Sequence, residues 1–119
     1  ALFCHNGTFN LESMWGTTEE LWFPEWDVNG TPWENREAYV KLSPHQYAKN
    51  FKTPMLIVHS AFDFRLSEEQ AFQLFTTLQR LGVESKFLYF PDETHFVSKP
   101  QNAKLWWNTV FDWFKSHQK

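Results

Sequence analysis

The run Pro54-Met55-Leu56-Ile57-Val58-His59 constrains this chain more than any other feature. It is short, continuously apolar up to its last residue, and carries β-branched Ile57 and Val58. It lacks the apolar–polar alternation of a strand with one wet face. Such a run suits a strand covered on both sides, the setting of a parallel sheet with helices above and below. Helical periodicity follows. Ser67 can cap a helix, with Glu68 and Glu69 in the first turn, where the helix dipole favours carboxylates. Ala71, Phe72, Leu74, Phe75, Leu78 and Leu81 fall at helical spacing. Gly82 stands where a left-handed residue closes a helix. Ser85–Phe90 reads as a second strand, ended by Pro91. A loop, Asp92–Pro100, leads to a last helix with Trp106, Trp107, Val110, Phe111 and Phe114 on one face. This β-α-β-α order predicts an α/β fold built on a doubly wound sheet with right-handed crossovers. The opening Leu2–His5 supplies a third parallel strand.

The remaining third is patterned differently. Residues 11–50 are crowded with aromatics and turn formers, as in Trp15-Gly16, Phe23-Pro24, Asn29-Gly30 and Thr31-Pro32. Short helices are expected at Thr18–Trp22, Asn35–Leu42 and Pro44–Asn50, the last begun by a proline, which the first helical position tolerates. The organisation is thus a strand and loop over 1–10, a loop and short-helix segment over 11–52, and the β-α-β-α unit over 53–119.

Composition narrows the function. A length of 119 residues fits one small domain, and a net charge of −3 gives no electrostatic reason to expect a nucleic acid or an anionic membrane as partner. Aromatics reach 19%, with 7 Trp and 13 Phe, which suggests surfaces that meet a substrate, another chain or another part of the same protein. The lone Cys4 excludes an internal disulfide and reads as a small, half-buried hydrophobe. No apolar run is long enough to span a bilayer, and the N-terminus has no signal layout; it reads as a chain cut into an existing strand. A soluble protein is expected, with the cytoplasm favoured over secretion. Asn6-Gly7-Thr8 and Asn29-Gly30-Thr31 match the glycosylation sequon, a tripeptide common by chance. No His/Cys/Asp spacing suggests a metal site, and four Gly leave no phosphate loop, so no cofactor is expected.

Two titratable residues stand where chemistry is expected. In open α/β sheets ligands bind beyond the carboxyl ends of the strands. Asp63 lies just past one strand end and His95 just past the next. Adjacent parallel strands are about 4.8 Å apart, so loops leaving them can bring a carboxylate and an imidazole into contact. An Asp on one ring nitrogen fixes the tautomer and stabilises the imidazolium formed when the other nitrogen takes a proton. Singly, Asp63 could brace a turn or pair with Arg65, and His95 could be an ordinary loop residue. Together, in this order, they match the Ser…Asp/Glu…His sequence of α/β-hydrolases.

The residues around them carry a resemblance. Thr53-Pro54-Met55-Leu56-Ile57-Val58-His59-Ser60-Ala61-Phe62-Asp63-Phe64-Arg65-Leu66 resembles the prolyl oligopeptidase family pattern His-Gly-x-x-Asp-x-Arg-Val. Phe90-Pro91-Asp92-Glu93-Thr94-His95 resembles that family's Tyr-x-x-Glu-Gly-His. Pro100-Gln101-Asn102 with the aromatic helix after it resembles the family's C-terminus, and the stretch from Asn10 to Glu20 resembles its dipeptidyl aminopeptidase and acylaminoacyl peptidase branch. The resemblance covers essentially the whole chain. It implies the C-terminal part of an α/β-hydrolase catalytic domain, with the catalytic Asp on Asp63 and the catalytic His on His95. It also implies that Trp15, Leu21 and Trp22 line an apolar substrate pocket, core packing being the plainer role for any one of them.

Departures from the family pattern carry expectations too. Ser60 stands for the usual Gly and should tighten a turn; Thr94 replaces the Gly before His95 and would crowd it if that turn needs a positive φ. No Gly-x-Ser-x-Gly elbow occurs among the seven serines. The resemblance places the nucleophile and oxyanion hole upstream, so this chain alone is expected not to hydrolyse peptides. Its partners would then be that upstream part of the domain and, in the parent enzyme, a peptide substrate. A non-catalytic module that self-associates or exchanges a strand through an open sheet edge is the alternative from another class, and an esterase is a third. Of the remaining histidines, His59 reads as a core residue, His45 and His117 as surface residues, and His5 as near the strand ends without an assigned role. Glu19 and Glu20 read as a solvated helix turn.

Overall fold

A computed structural model describes residues 1–118. Three parallel strands, β1 (Leu2–His5), β2 (Met55–Phe62) and β3 (Ser85–Thr94), form one sheet in the order β1-β2-β3. Helix α4 (Glu69–Arg80) joins β2 to β3, and α5 (Pro100–Ser116) follows β3. Between β1 and β2 lie α1 (Leu11–Thr17), α2 (Trp22–Val28), α3 (Arg36–Leu42) and a 3-10 helix, Pro44–Asn50.

The central strand explains its own sequence. Ile57 packs on one face with Phe9, Ala71, Leu74 and Leu78, while Leu56 and Val58 pack on the other with Phe90, Val110 and Trp113. Both faces are dry, so no polar alternation is needed. Burying Leu56, Ile57 and Val58 completely contributes about 1.5–3 kcal/mol per side chain. The sheet is thus an α/β layer with helices on both sides.

Several expectations are corrected. The helix expected at Thr18–Trp22 is instead mostly the link between α1 and α2, with Trp22 beginning α2. Asn10 caps α1 instead, its side chain accepting from Glu12 N and Ser13 N. Ser67 does not cap α4; its hydroxyl bonds Thr17 and Glu69. The Pro44–Asn50 segment is 3-10 in type. Gly82 does adopt φ +68° after α4. On α4, Ala71, Leu74 and Leu78 face the core, whereas Phe72 and Leu81 are exposed. On α5, Val110 and Trp113 are buried with Trp106 packed beside them, but Trp107, Phe111 and Phe114 are exposed. A helix lying on a sheet buries one stripe, and this stripe passes through 106, 110 and 113. Trp113 also donates from Nε1 to Leu2 O at 3.0 Å, tying α5 to β1.

Pro91 does not end β3. The pairing shifts between Ser60–Phe90 and Phe62–Thr94, so two steps along β2 face four along β3. Pro91 sits in that interruption, where its missing N–H breaks no ladder bond. Ser60 is likewise no turn residue: it is buried in β2. Thr94 closes β3 without a positive φ, so the expected crowding of His95 does not arise.

Candidate active site

The strand register builds the site. Phe62 and Thr94 are parallel partners at the ends of β2 and β3, and the next residue on each chain is Asp63 and His95. Neighbours in a parallel pair are about 4.8 Å apart, so the two side chains meet across the gap. His95 Nδ1 lies 2.9 Å from Asp63 Oδ2. Asp63 is buried, and the His95 side chain keeps 27% of its surface exposed. The imidazole therefore faces the carboxylate with one nitrogen. Its Nε2 has no hydrogen-bond partner among the described residues.

Each partner is braced. Asp63 Oδ1 accepts from Leu66 N at 2.9 Å and Arg65 N at 3.2 Å, closing the turn after β2. Arg65 does not pair with Asp63. Its Nε reaches Glu20 Oε2 at 2.6 Å, so Glu20 is an anchor for the Asp63 turn rather than a solvated residue. Glu19 N adds a bond to Phe64 O at 2.8 Å. On the other side, buried Glu93 accepts from Ser98 N, Ser98 Oγ, Lys99 N and Asn102 Nδ2, at 2.8–3.3 Å. Those bonds clasp the loop that presents His95. Burial pushes the Glu93 carboxyl up, but these donors outweigh it and hold it below its ordinary value. Asn6, at φ 50° just past β1, donates from Nδ2 to His95 O. The first sequon is therefore a buried brace of the site, unsuited to carry a glycan; Asn29 is exposed.

Two more histidines surround the pair. His59 is fully buried, as expected of a core residue, with Nε2 2.7 Å from Leu66 O and 3.7 Å from Asp63 Oδ2. Burial lowers its pKa, against opposing contributions from Leu66 O, Asp63 and Glu68. Burial, then the nearby His59 and His95, lower His5 to about 4. Both are neutral at pH 7.

The hollows of the molecule divide unevenly around this pair. One of about 300 Å³ lies beside His95's neighbours, lined by His5, Phe96, Val97 and Trp106. Another, about 310 Å³, is lined by Glu20, Trp22, Phe23 and Arg65. A third, about 560 Å³, lies away from the pair among Phe9, His45 and Phe72. Of the three residues expected to line a pocket, only Trp22 borders one of these. Leu21 and Trp22 are exposed rather than packed in a core, and Trp15 sits edge-on to Trp33 at 5.0 Å and donates to Glu25. His45 and His117 are half-buried, not surface residues; His117 packs on Trp113 at 4.2 Å.

Asn6, Glu93 and the Glu20–Arg65 pair were not marked as site residues by the sequence. Glu93 alone had a signal, its place in the Glu-x-His stretch.

A buried carboxylate thus faces a half-open imidazole at the carboxyl ends of parallel strands, within an α/β-hydrolase fold. The chain belongs to the prolyl oligopeptidase family, whose model matches residues 1–119. It is 44% identical over 117 residues to dipeptidyl-peptidase 5 of Porphyromonas gingivalis, covering 95% of this chain and 17% of that protein. It is 41% identical over 119 residues to dipeptidyl-peptidase 5 of Schizosaccharomyces pombe, covering 100% of this chain and 17% of the relative. The acylaminoacyl peptidase of Pyrococcus horikoshii superposes with a TM-score of 0.88 at 29% identity, over 95% of this chain and 19% of that one. The chain thus spans about one sixth of the curated relatives it matches.

Proposed function

We propose that these residues are the acid–base part of a serine peptidase that releases dipeptides from the N-terminus of peptides. The observation that carries this is the 2.9 Å contact between His95 Nδ1 and Asp63 Oδ2, with Nε2 left free on the exposed side. Asp63 holds the proton on Nδ1, so Nε2 is the basic nitrogen. A serine on an upstream segment would give its proton to Nε2 as its oxygen attacks the peptide carbonyl. His95 then returns that proton to the departing amine, and water repeats the cycle on the acyl-enzyme. The dipeptide preference rests on the names of the 44% and 41% identical relatives. No Gly-x-Ser-x-Gly elbow lies in these residues, so the 119-residue chain by itself should be inactive.

The test is a substrate panel offered to the full-length parent enzyme: dipeptidyl amides, N-acylated aminoacyl amides and short-chain esters. Preferred turnover of the dipeptidyl amides supports the reading. Preference for acylated amides would move it to the neighbouring acylaminoacyl class, and hydrolysis of esters alone would overturn it. Turnover by the 119-residue chain would overturn the assignment of the nucleophile.

A further inference from the structure

We propose that His59 is a positioning residue for the Asp63–His95 pair, its Nε2–H holding the Asp63 turn from the protein side. The proposal rests on the acyl-transfer reading above. His59 is fully buried in β2, four residues before Asp63, and its Nε2 lies 2.7 Å from Leu66 O. A carbonyl oxygen only accepts, so the proton resides on Nε2. Leu66 N meanwhile donates to Asp63 Oδ1. The single residue Leu66 is therefore gripped at both ends of its backbone, by the acid through its N–H and by His59 through its C=O. The same Nε2 stands 3.7 Å from Asp63 Oδ2, the oxygen that receives His95 Nδ1. The Nε2–H dipole thus lies beneath that oxygen while the carboxylate aims at His95.

A charged ring at this position would compete with His95 for the same oxygen. The groups facing His59 are Asp63, Glu68, His95 and, from β1, His5. Its Nδ1 is buried and has no partner among the described residues, so none of them favours a second proton on that side. Leucine would fill the volume but leave Leu66 O unpaired. Only a side chain with a donor at the reach of Nε2 serves both purposes.

That reach gives the test, made in the full-length parent enzyme. Glutamine places an amide N–H near the position of Nε2, whereas asparagine stops near that of Nδ1. His59→Asn should lower kcat about 10–100-fold with KM within about twofold, the size expected when a reacting group is displaced by about 1 Å. His59→Gln should recover most of that loss. A role in stability alone would lower the melting temperature of both variants and leave kcat of the folded enzyme unchanged. A second readout needs no turnover: the low-field proton resonance of His95 Nδ1–H should survive in His59→Gln and shift or broaden in His59→Asn. If the parent cleaves peptides and both variants match it in kcat and in this resonance, the proposal is overturned while the peptidase reading stands. If the parent cleaves no peptide, the peptidase reading fails, and the resonance alone decides whether His59 positions the pair. A wild-type enzyme without that resonance also overturns it.

Discussion

Asp63 and His95 were legible because each follows a strand end, and strand ends in parallel sheets converge. Their supports were hidden for physical reasons. A buried glutamate looks like any other glutamate in a sequence, and Asn6 wore the disguise of a glycosylation tripeptide. Replacing Asp63 by Asn in the parent enzyme would present the wrong tautomer of His95 and should lower kcat about ten-thousandfold, measured on a dipeptidyl amide. Replacing Glu93 by Leu would strip Ser98 N and Lys99 N of their acceptor and loosen the loop that presents His95, readable as a lower urea midpoint. The pH dependence has a defined sign. His5 falls from 6.5 to about 4 in the folded chain, so between those values the unfolded state binds the extra proton and stability declines as pH drops. Glu93, also lowered on folding from 4.5, adds a loss at still lower pH as it becomes protonated. Urea midpoints should therefore fall as pH is lowered from 7 towards 4, and His5→Asn should flatten the upper part of that fall.

Among the elements, the long periodic segments were legible apart from the far end of β3, and the short segments Asn35–Leu42 and Pro44–Asn50 recur as α3 and the 3-10 helix, whereas the stretch around Thr18–Trp22 does not. β2, α4, β3 and α5 announce themselves through runs and helical spacing. In residues 11–50 the aromatics are spread over turns of seven residues or fewer, too short for a period to emerge, so α1 and α2 were misplaced around Thr18–Trp22. The interruption at Pro91 was missed because proline normally argues against a strand, and only the partner strand reveals the register shift. The turn after β1 offers a test. A Cβ on Gly7 would collide with Cys4 Sγ. Gly7→Ala should destabilise the chain, and adding Cys4→Ala should recover most of the loss in thermal melts. A full-sized penalty in the double variant would contradict this packing. Trp113→Phe should cost about 0.5–1.5 kcal/mol through the lost bond to Leu2 O, on top of any change in packing.

The whole molecule is a small sheet with helices on both faces, more extended than a compact domain of its length. Its radius of gyration is 15.1 Å, against about 13.5 Å for a compact domain of this length. β1 pairs on one side only, with β2, and Trp22, Trp26, Trp33, Trp107 and Phe111 lie half or more exposed. An open parallel edge and so much exposed aromatic surface on one small chain together invite another chain. The 119-residue chain prepared alone should therefore self-associate, giving at least twice the monomer mass by light scattering; a well-packed monomer would contradict this. Which of the many aromatics face outward followed only from the stripe that each helix buries.

The acid–base role proposed for Asp63 and His95 can be read out in a single variant. Its most direct test is the turnover of a dipeptidyl amide by the full-length parent enzyme carrying His95→Gln. The glutamine amide could still accept or donate a hydrogen bond but could not carry the proton from nucleophile to leaving amine. The expected result is a loss of at least about a thousandfold in kcat with the fold intact by circular dichroism. Turnover within tenfold of wild type would contradict it.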